Sequence, residues 1–543
     1  MKEFSFPYSE GLNKGLRPNS KNPRNSQYLT EAYNVKMGRT GAEPFVKLAQ
    51  DIVSPEAEGW ATPQVFAASA GNFLGTTVGI YGIDYDFTVS AAEKVTSYYN
   101  NASVNWSLAD FGQYQVWCDN KWMYYLNPYT GASAILSLFN PYAGPLIGEG
   151  HGDAQCQVLT IAAMGGRLFL SGLVEYWDPG GPTLIGYNYE PLDKVFWSRA
   201  GGLGTDDLRR ITELMTGAEY DAGTTDPNSK PGAGSITLPF NGRIVALKEL
   251  GNKMMAYVGG SHFGYLETST EPTYYSGQGG GVAVLTQHAS PYPTFGVNVI
   301  RPVGVPRGRP VAGDDKRHVF IDSDGVLWTI DANMKLDRLG YEEFFYPRLI
   351  ESNSYFYLSH DSVNDDYYIC SRGGVGTPAT VSRTWLLSKN GLSEVHQQVM
   401  SVAPMIDGRV SPYPRTVQAI CRTNSTDLTG YVCTDTVDMG MRAIKTITGL
   451  EIGASNSAAM VANVDYKYST IGAFTSSVPK PVHKSGIVTP MVAGTDLRVR
   501  VKSTSYVDFD LDYMNIRWKL NDKRLIRGLH ESTSSKAVPS SGS

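Results

Sequence analysis

The stretch AMVANVDYKYS, residues 459–469, alternates with a period of two. Met460, Ala462, Val464, Tyr466 and Tyr468 fall on one side, and Asn463, Asp465, Lys467 and Ser469 on the other. Successive side chains of a strand point to opposite faces, so the pattern predicts a strand with one dry and one wet face. Leu497, Val499 and Val501 alternate with Arg498, Arg500 and Lys502 in the same way, and residues 442–452 do so more weakly. In residues 509–520 the apolar phase switches near Tyr513 and Met514, which predicts a β-bulge. Four such segments in under a hundred residues predict a small antiparallel β-sandwich over residues 436–530.

Outside this stretch the chain also reads as β. Apolar residues make up 42% of its 543 residues, which is globular, and the length calls for more than one core. Gly (57), Pro (30) and Tyr (33) are plentiful while charged residues are only 18%, a balance that suits many short strands and tight turns. From about residue 61 to 411, pairs of apolar runs meet at turn residues. These turns are Asp119-Asn120, Gly165-Gly166, Gly251-Asn252, Ser323-Asp324-Gly325 and Asn364-Asp365. Asx and Gly supply the left-handed dihedrals that hairpins need. Hairpins recurring irregularly, at intervals of roughly 40–80 residues, predict a mostly-β fold with an irregular β-propeller-like domain over 51–435. Six or seven blades suit the length, and a stack of sandwiches is the alternative.

Residues 1–50 read as an arm followed by a hairpin that turns at residues 37–41. In residues 12–26 the only charges are positive: Lys14, Arg17, Lys21 and Arg24. This segment is too polar to pack alone; it is an arm docking on a neighbouring subunit or a solvated loop. Residues 205–217 predict a helix, with Thr205 as N-cap and Leu208, Ile211 and Met215 on one face, followed by a polar loop to residue 234. A second short helix is expected over 342–350. The Ser-rich residues 531–543 predict a disordered tail.

The charge balance is −5, which argues against a dedicated nucleic-acid binder but suits a channel wall that lets DNA pass without gripping phosphates. Cys118, Cys156, Cys370, Cys421 and Cys433 have no CxxC spacing and read as buried free thiols. No secretory signal or membrane-length apolar run is visible.

Candidate chemistry is sparse. Asp322 and Asp324 in DSDG begin like a calcium loop, but the chain runs on into the strand VLWTI, so a hairpin turn is the better reading. Asp314-Asp315 and Asp365-Asp366 are adjacent, so on a strand each pair would point to opposite faces and suit a glycosidase poorly. The dispersed histidines, His318 and His360 among them, read as structural hydrogen-bonding groups. GQGGG at 277–281 lacks the Lys-Ser/Thr of a phosphate loop. No catalytic, cofactor or metal residues are assigned. The basic residues Arg517, Lys519, Lys523, Arg524 and Arg527, on and after the last strand, are either edge charges that discourage aggregation or inter-subunit contacts. Tyr124-Tyr125 and Tyr274-Tyr275 would suit subunit interfaces or cores equally.

Three patches carry a family resemblance. Residues 441–453 (MRAIKTITGLEIG), 464–469 (VDYKYS) and 495–528 (TDLRVRVKSTSYVDFDLDYMNIRWKLNDKRLIRG) resemble the C-terminal end of tail hub or nozzle proteins of short-tailed bacteriophages. The arm and hairpin at 10–45 resemble the opening of the same proteins, and HVFIDSDGVLWTIDANMKLDRLGY at 318–341 is similar to one of their propeller hairpins. The resemblance implies a non-enzymatic virion protein, made in the host cytoplasm, that closes the tail tube as a homo-hexameric ring. Its partners would be the adjacent adaptor or tube proteins and tail fibres, with genomic DNA passing through the lumen without sequence-specific binding. Lys14, Arg17, Lys21, Arg24, Arg517, Lys519, Lys523, Arg524 and Arg527 would then be inter-subunit contacts. The rival readings are a propeller-type polysaccharide hydrolase or lyase and a carbohydrate-binding adhesion protein.

Overall fold

The computed structural model describes residues 4–7, 12, 14–19, 24–53, 64–84, 89–90, 93–97, 105–111, 114–120, 122–136, 156–171, 174–177, 186–188, 193–197, 234–259, 279–288, 294–352, 355–372, 383–397, 399–404, 410–414, 419–427, 429–469, 472–504 and 509–521. They form two compact units. One comprises residues 48–384 and 397–423; the other joins residues 1–47, 385–396 and 424–543. The expected helix at 205–217, its following loop and the tail at 531–543 lie outside the described residues.

The first unit is a β-propeller built of four-stranded antiparallel sheets, each with its strands in chain order. Blade one runs through Gln64–Ala68, Gly71–Gly75, Gly79–Ile83 and Val95–Thr96; blade two through Ser107–Phe111, Tyr114–Cys118, Met123–Leu126 and Ser133–Leu136. Blade three holds Thr160–Met164, Arg167–Ser171, Lys194–Trp197 and Gly234–Thr237. Blade four holds Ile244–Leu250, Lys253–Val258, Val282–His288 and Thr294–Arg301, and blade five Val311–Gly313, Arg317–Ile321, Leu327–Asp331 and Leu336–Gly340. Two hairpins follow, Tyr355–Asp361 with Asp366–Arg372 and Val399–Pro404 with Val410–Pro414.

Strand alternation explains why these sheets stack face to face. Along Tyr114–Cys118, Trp117 joins Phe73 and Trp106 in the cluster shared with blade one, while Val116 and Cys118 pack with Ile161 and Leu168 of blade three. In blade four, Met254, Ala256 and Val258 face Phe169 and Trp197 of blade three; Met255 and Tyr257 face Phe320 and Ile330 of blade five. A sheet covered on both faces needs apolar residues in both phases, so its strands lose the half-polar alternation of a surface sheet. The series closes where Met400 packs with Tyr357 and Cys370, and Ala403 with Val65 and Leu74 of blade one.

The predicted hairpin turns are all present. Asn120, Gly165, Gly166, Gly251, Gly325 and Asp365 have left-handed φ between 55° and 75°. The second expected helix spans Glu342–Ser352.

The second unit is a sandwich. One sheet is ordered Val35–Met37, Ala42–Pro44, Leu511–Leu520, Lys445–Ala454, Ile487–Val488; Phe4–Pro7 also pairs with Leu511–Leu520, and Val492–Gly494 with Lys445–Ala454. The other contains, in order, Leu392–Val395, Leu29–Tyr33, Tyr431–Thr434, Asp496–Ser503 and Met460–Lys467. Ala32, Val464, Leu497, Val499, Leu450, Ile452, Met514 and Ile516 are buried in its core. The expected bulge is there: Gly453 pairs with Tyr513 and Ala454 with Leu511, so Asp512 is the extra residue. The N-terminal hairpin belongs to the same unit as the C-terminal strands, which the division into separate segments 1–50 and 436–530 did not anticipate. One expectation is corrected. The face of Met460–Lys467 read as wet is covered at Asn463 and Asp465, which are both buried; the Asp465 carboxylate accepts from the Asn463 amide and the Ser476 hydroxyl and pairs with Arg500.

Candidate functional site

The basic arm residues converge on carboxylates of their own chain. Arg17 Nη2 lies 2.6 Å from Asp435 Oδ2, a carboxylate with no exposed surface, which also accepts from the Ser26 hydroxyl at 2.7 Å. Arg24 Nη1 reaches Asp496 Oδ1 at 2.6 Å and Asp438 Oδ2 at 3.3 Å. Asn25, left-handed at φ 64°, donates its amide to Asp438 Oδ1 at 2.7 Å and accepts from the Asp438 and Met439 backbone N–H groups. Lys14 bonds Gln27. Burial alone would raise the Asp438 pKa; the Asn25 amide, the Gly440 N–H and Arg24 outweigh it and hold the carboxyl below its ordinary value. Lys445 sits beneath, donating to the Asp438 and Met441 carbonyls, and burial lowers its pKa. The arm is therefore neither a solvated loop nor free along these residues. Asp435, Asp438 and Asp496 were missed in the sequence, because nothing local to them names the arm as their partner.

Lys21, Lys523, Arg524 and Arg527 lie outside the described residues. Arg517 is half exposed and pairs with Glu451 at 3.3 Å, and Lys519 is half buried. Their strand is not an edge: Leu511–Leu520 has Lys445–Ala454 on one side and Phe4–Pro7 and Ala42–Pro44 on the other. The reading of these cations as guards of an open edge is corrected accordingly.

The acids singled out for chemistry are bound into turns. Asp322 has no exposed side-chain surface and accepts from five donors: Asp324 N and Val326 N on Oδ1, and Arg301 Nε, Arg301 Nη2 and Trp328 Nε1 on Oδ2, at 2.6–3.0 Å. Five donors leave the carboxylate no free lone pair to offer a cation. Asp119 plays the same part in blade two, accepting from Ser97, Trp122 N and the Tyr124 hydroxyl at 2.6–2.8 Å. Tyr124 is thus a buried core residue and not an interface tyrosine; Tyr274-Tyr275 lie outside the described residues. Asp314 caps the turn at Lys316 and Arg317, and Asp365 meets Arg317 at 2.6 Å. His318 is buried between the Tyr257 hydroxyl (2.8 Å from Nδ1) and the Glu249 carbonyl (2.9 Å from Nε2). A carbonyl only accepts, so Nε2 carries the proton and Nδ1 accepts from Tyr257. Burial, reinforced by Lys248, pulls the His318 pKa down to about 3. Cys118, Cys370 and Cys433 are buried free thiols.

Residues 304–309 bond to three separate parts of the propeller. Val305 N donates to Val258 O of blade four at 3.0 Å, the Gly308 carbonyl accepts from Asn105 at the entry to blade two at 3.2 Å, and Gly308–Arg309 pairs in parallel with Tyr355–Asp361. Arg309 Nη2 donates to Met400 O at 3.0 Å, and burial lowers its pKa to about 10. Gly308 has φ +99°, and a Cβ there would sit 2.3 Å from the Phe356 carbonyl oxygen, so only glycine fits.

Charge is divided between the units. The sandwich unit carries 23 basic and 16 acidic residues, a net +7; the propeller unit carries 24 and 36, a net −12. No helix among the described residues is long and apolar enough to cross a membrane.

No family model matches the sequence, and no curated protein does. Among solved structures, the extracellular domain of the one component system BT4673 from B. thetaiotaomicron matches at TM-score 0.36 and 9% identity over 82% of this chain, which spans only 47% of that protein. The Neurospora crassa Pan2 WD40 domain matches at 0.35 and 6% over 70% of this chain and 97% of its own. BamB from Moraxella catarrhalis matches at 0.32 and 10% over 69% and 98%. Scores of this size add no weight to the strand pairing, on which the propeller reading rests.

Proposed function

We propose that the chain is a virion structural protein, the hub or nozzle of a short phage tail, assembling as a ring that retains the genome and opens for ejection. The observation that carries the reading is the division of charge, +7 on one unit and −12 on the other. Two units of opposite net charge on one chain favour a head-to-tail contact, and head-to-tail contacts close into rings when the rotation allows. The engagement of Asp322, Asp365 and Asp314 in turns supports a structural role for the acids over a reactive one. The resemblance of 10–45, 318–341 and 441–528 supports the placement in the tail and the hexameric count.

Electron microscopy of the purified full chain tests this. Rings with an axial hole are expected. Solitary particles that release reducing sugar from host polysaccharide would overturn the reading in favour of an enzyme.

A further inference from the structure

The last strand of the sandwich depends on a segment from the opposite end of the sequence. Among the described residues, the N-terminal hairpin pairs one side of Leu511–Leu520 only at Leu511, with Ala42. Further along that side, Asn515, Ile516, Arg517 and Trp518 are paired by Pro7, Phe6, Ser5 and Phe4. Ile516 and Trp518 are buried in the core. Without a strand here, backbone N–H and C=O groups would lie unpaired beside an apolar interior, along an open edge. Phe4–Pro7 suits an outermost place in turn, since Pro7 has no N–H to lend to a further strand.

The arm that follows is anchored separately. Leu12 is fully buried, Leu16 N donates to Leu392 O at 2.8 Å, and Arg17 and Arg24 hold Asp435 and Asp496. This part of the arm is fixed to its own sandwich by buried ion pairs, whereas Phe4–Pro7 is held through one strand pairing. From Pro7 to Leu12 the chain can reach about 17 Å at most. Within that radius the connection does not decide which copy's last strand Phe4–Pro7 completes.

We propose that Phe4–Pro7 of each copy completes Leu511–Leu520 of the next copy, in the register seen within the single chain. The inference rests on the ring reading and names the contact that would link its copies. Exchange of an identical element remakes each backbone pair that it breaks, and donor and acceptor are different surfaces, as a head-to-tail ring requires. Opposite net charges bring two copies together, and the exchanged strand fixes how they meet.

An engineered disulfide tests it. Directly opposed residues of antiparallel strands have Cα atoms about 4.5–5.5 Å apart, inside the span that a disulfide bridges. Ser5 lies opposite Arg517. Arg517 is exposed and its pair with Glu451 is a surface one, so replacing it should leave the melting of the chain unchanged. The full-length chain carrying Ser5→Cys and Arg517→Cys is oxidised and separated on a denaturing, non-reducing gel, and the peptides of each band are weighed. Most of the link between positions 5 and 517 is expected in bands of two or more chains that collapse on reduction. A link confined to the one-chain band, in protein that scatters light as a multi-chain species, would overturn the exchange and leave the ring standing. A link in no band would also overturn it, because the pairing itself would be missing. A one-chain mass at every protein concentration would overturn both.

Discussion

The two units are held together by different forces. In the propeller, one apolar cluster after another fills the space between consecutive blades, and polar side chains serve mainly to tie turns. In the sandwich, the strands supply an apolar core, but the arm is fastened to it by arginines on buried carboxylates. The first mode depends little on salt, because apolar burial is not screened. The second concentrates stability in a few ion pairs, each costly to break because its partner is left buried.

Acid should separate the two units most strongly. His318 is neutral when folded, with a pKa lowered to about 3, and titrates near 6.5 when unfolded. The unfolded state therefore binds the extra proton first, and propeller stability falls as pH drops from 6.5 toward 3, by about 4–5 kcal/mol in all. The lowered Asp438 works in a lower window: its contribution is present above the ordinary carboxylate pKa and is lost only as pH falls below it. Hydrogen exchange between pH 6.5 and 4.5 should thus show blades four and five loosening while residues 431–503 stay protected. His318→Asn should flatten that slope. Equal loosening of both units would remove the distinction.

Arg17→Ala comes next. It strands the wholly buried Asp435 and should cost about 3 kcal/mol, read as faster exchange at 14–29 and 431–438 with the blades unchanged. Gly308→Ala should do the reverse, costing about 1–3 kcal/mol through the left-handed backbone and the Phe356 carbonyl, and loosening only the propeller.

What the sequence revealed followed from locality. Turn residues such as Asn120, Gly251 and Asp365 declare themselves because only Asx and Gly adopt those dihedrals cheaply, and the Asp512 bulge shows as a phase slip within one strand. Pairings between distant segments left no such trace. Nothing in residues 29–33 names 431–434 as their neighbour, so the arm and the C-terminal strands read as separate domains. For the same reason Leu511–Leu520 looked like an edge, although Phe4–Pro7, five hundred residues away in sequence, covers it. The burial of Asn463 and Asp465 was hidden because polar residues alternating with apolar ones signal water unless a partner such as Arg500 is known to lie above them.

The central claim is that copies of this chain meet through unlike charges. Light scattering of the full chain across a salt series tests it most directly. The account predicts a multi-chain mass at low ionic strength that declines as salt screens the contact over a Debye length of about 10 Å at 0.1 M. A mass of one chain at all salt and protein concentrations would contradict it.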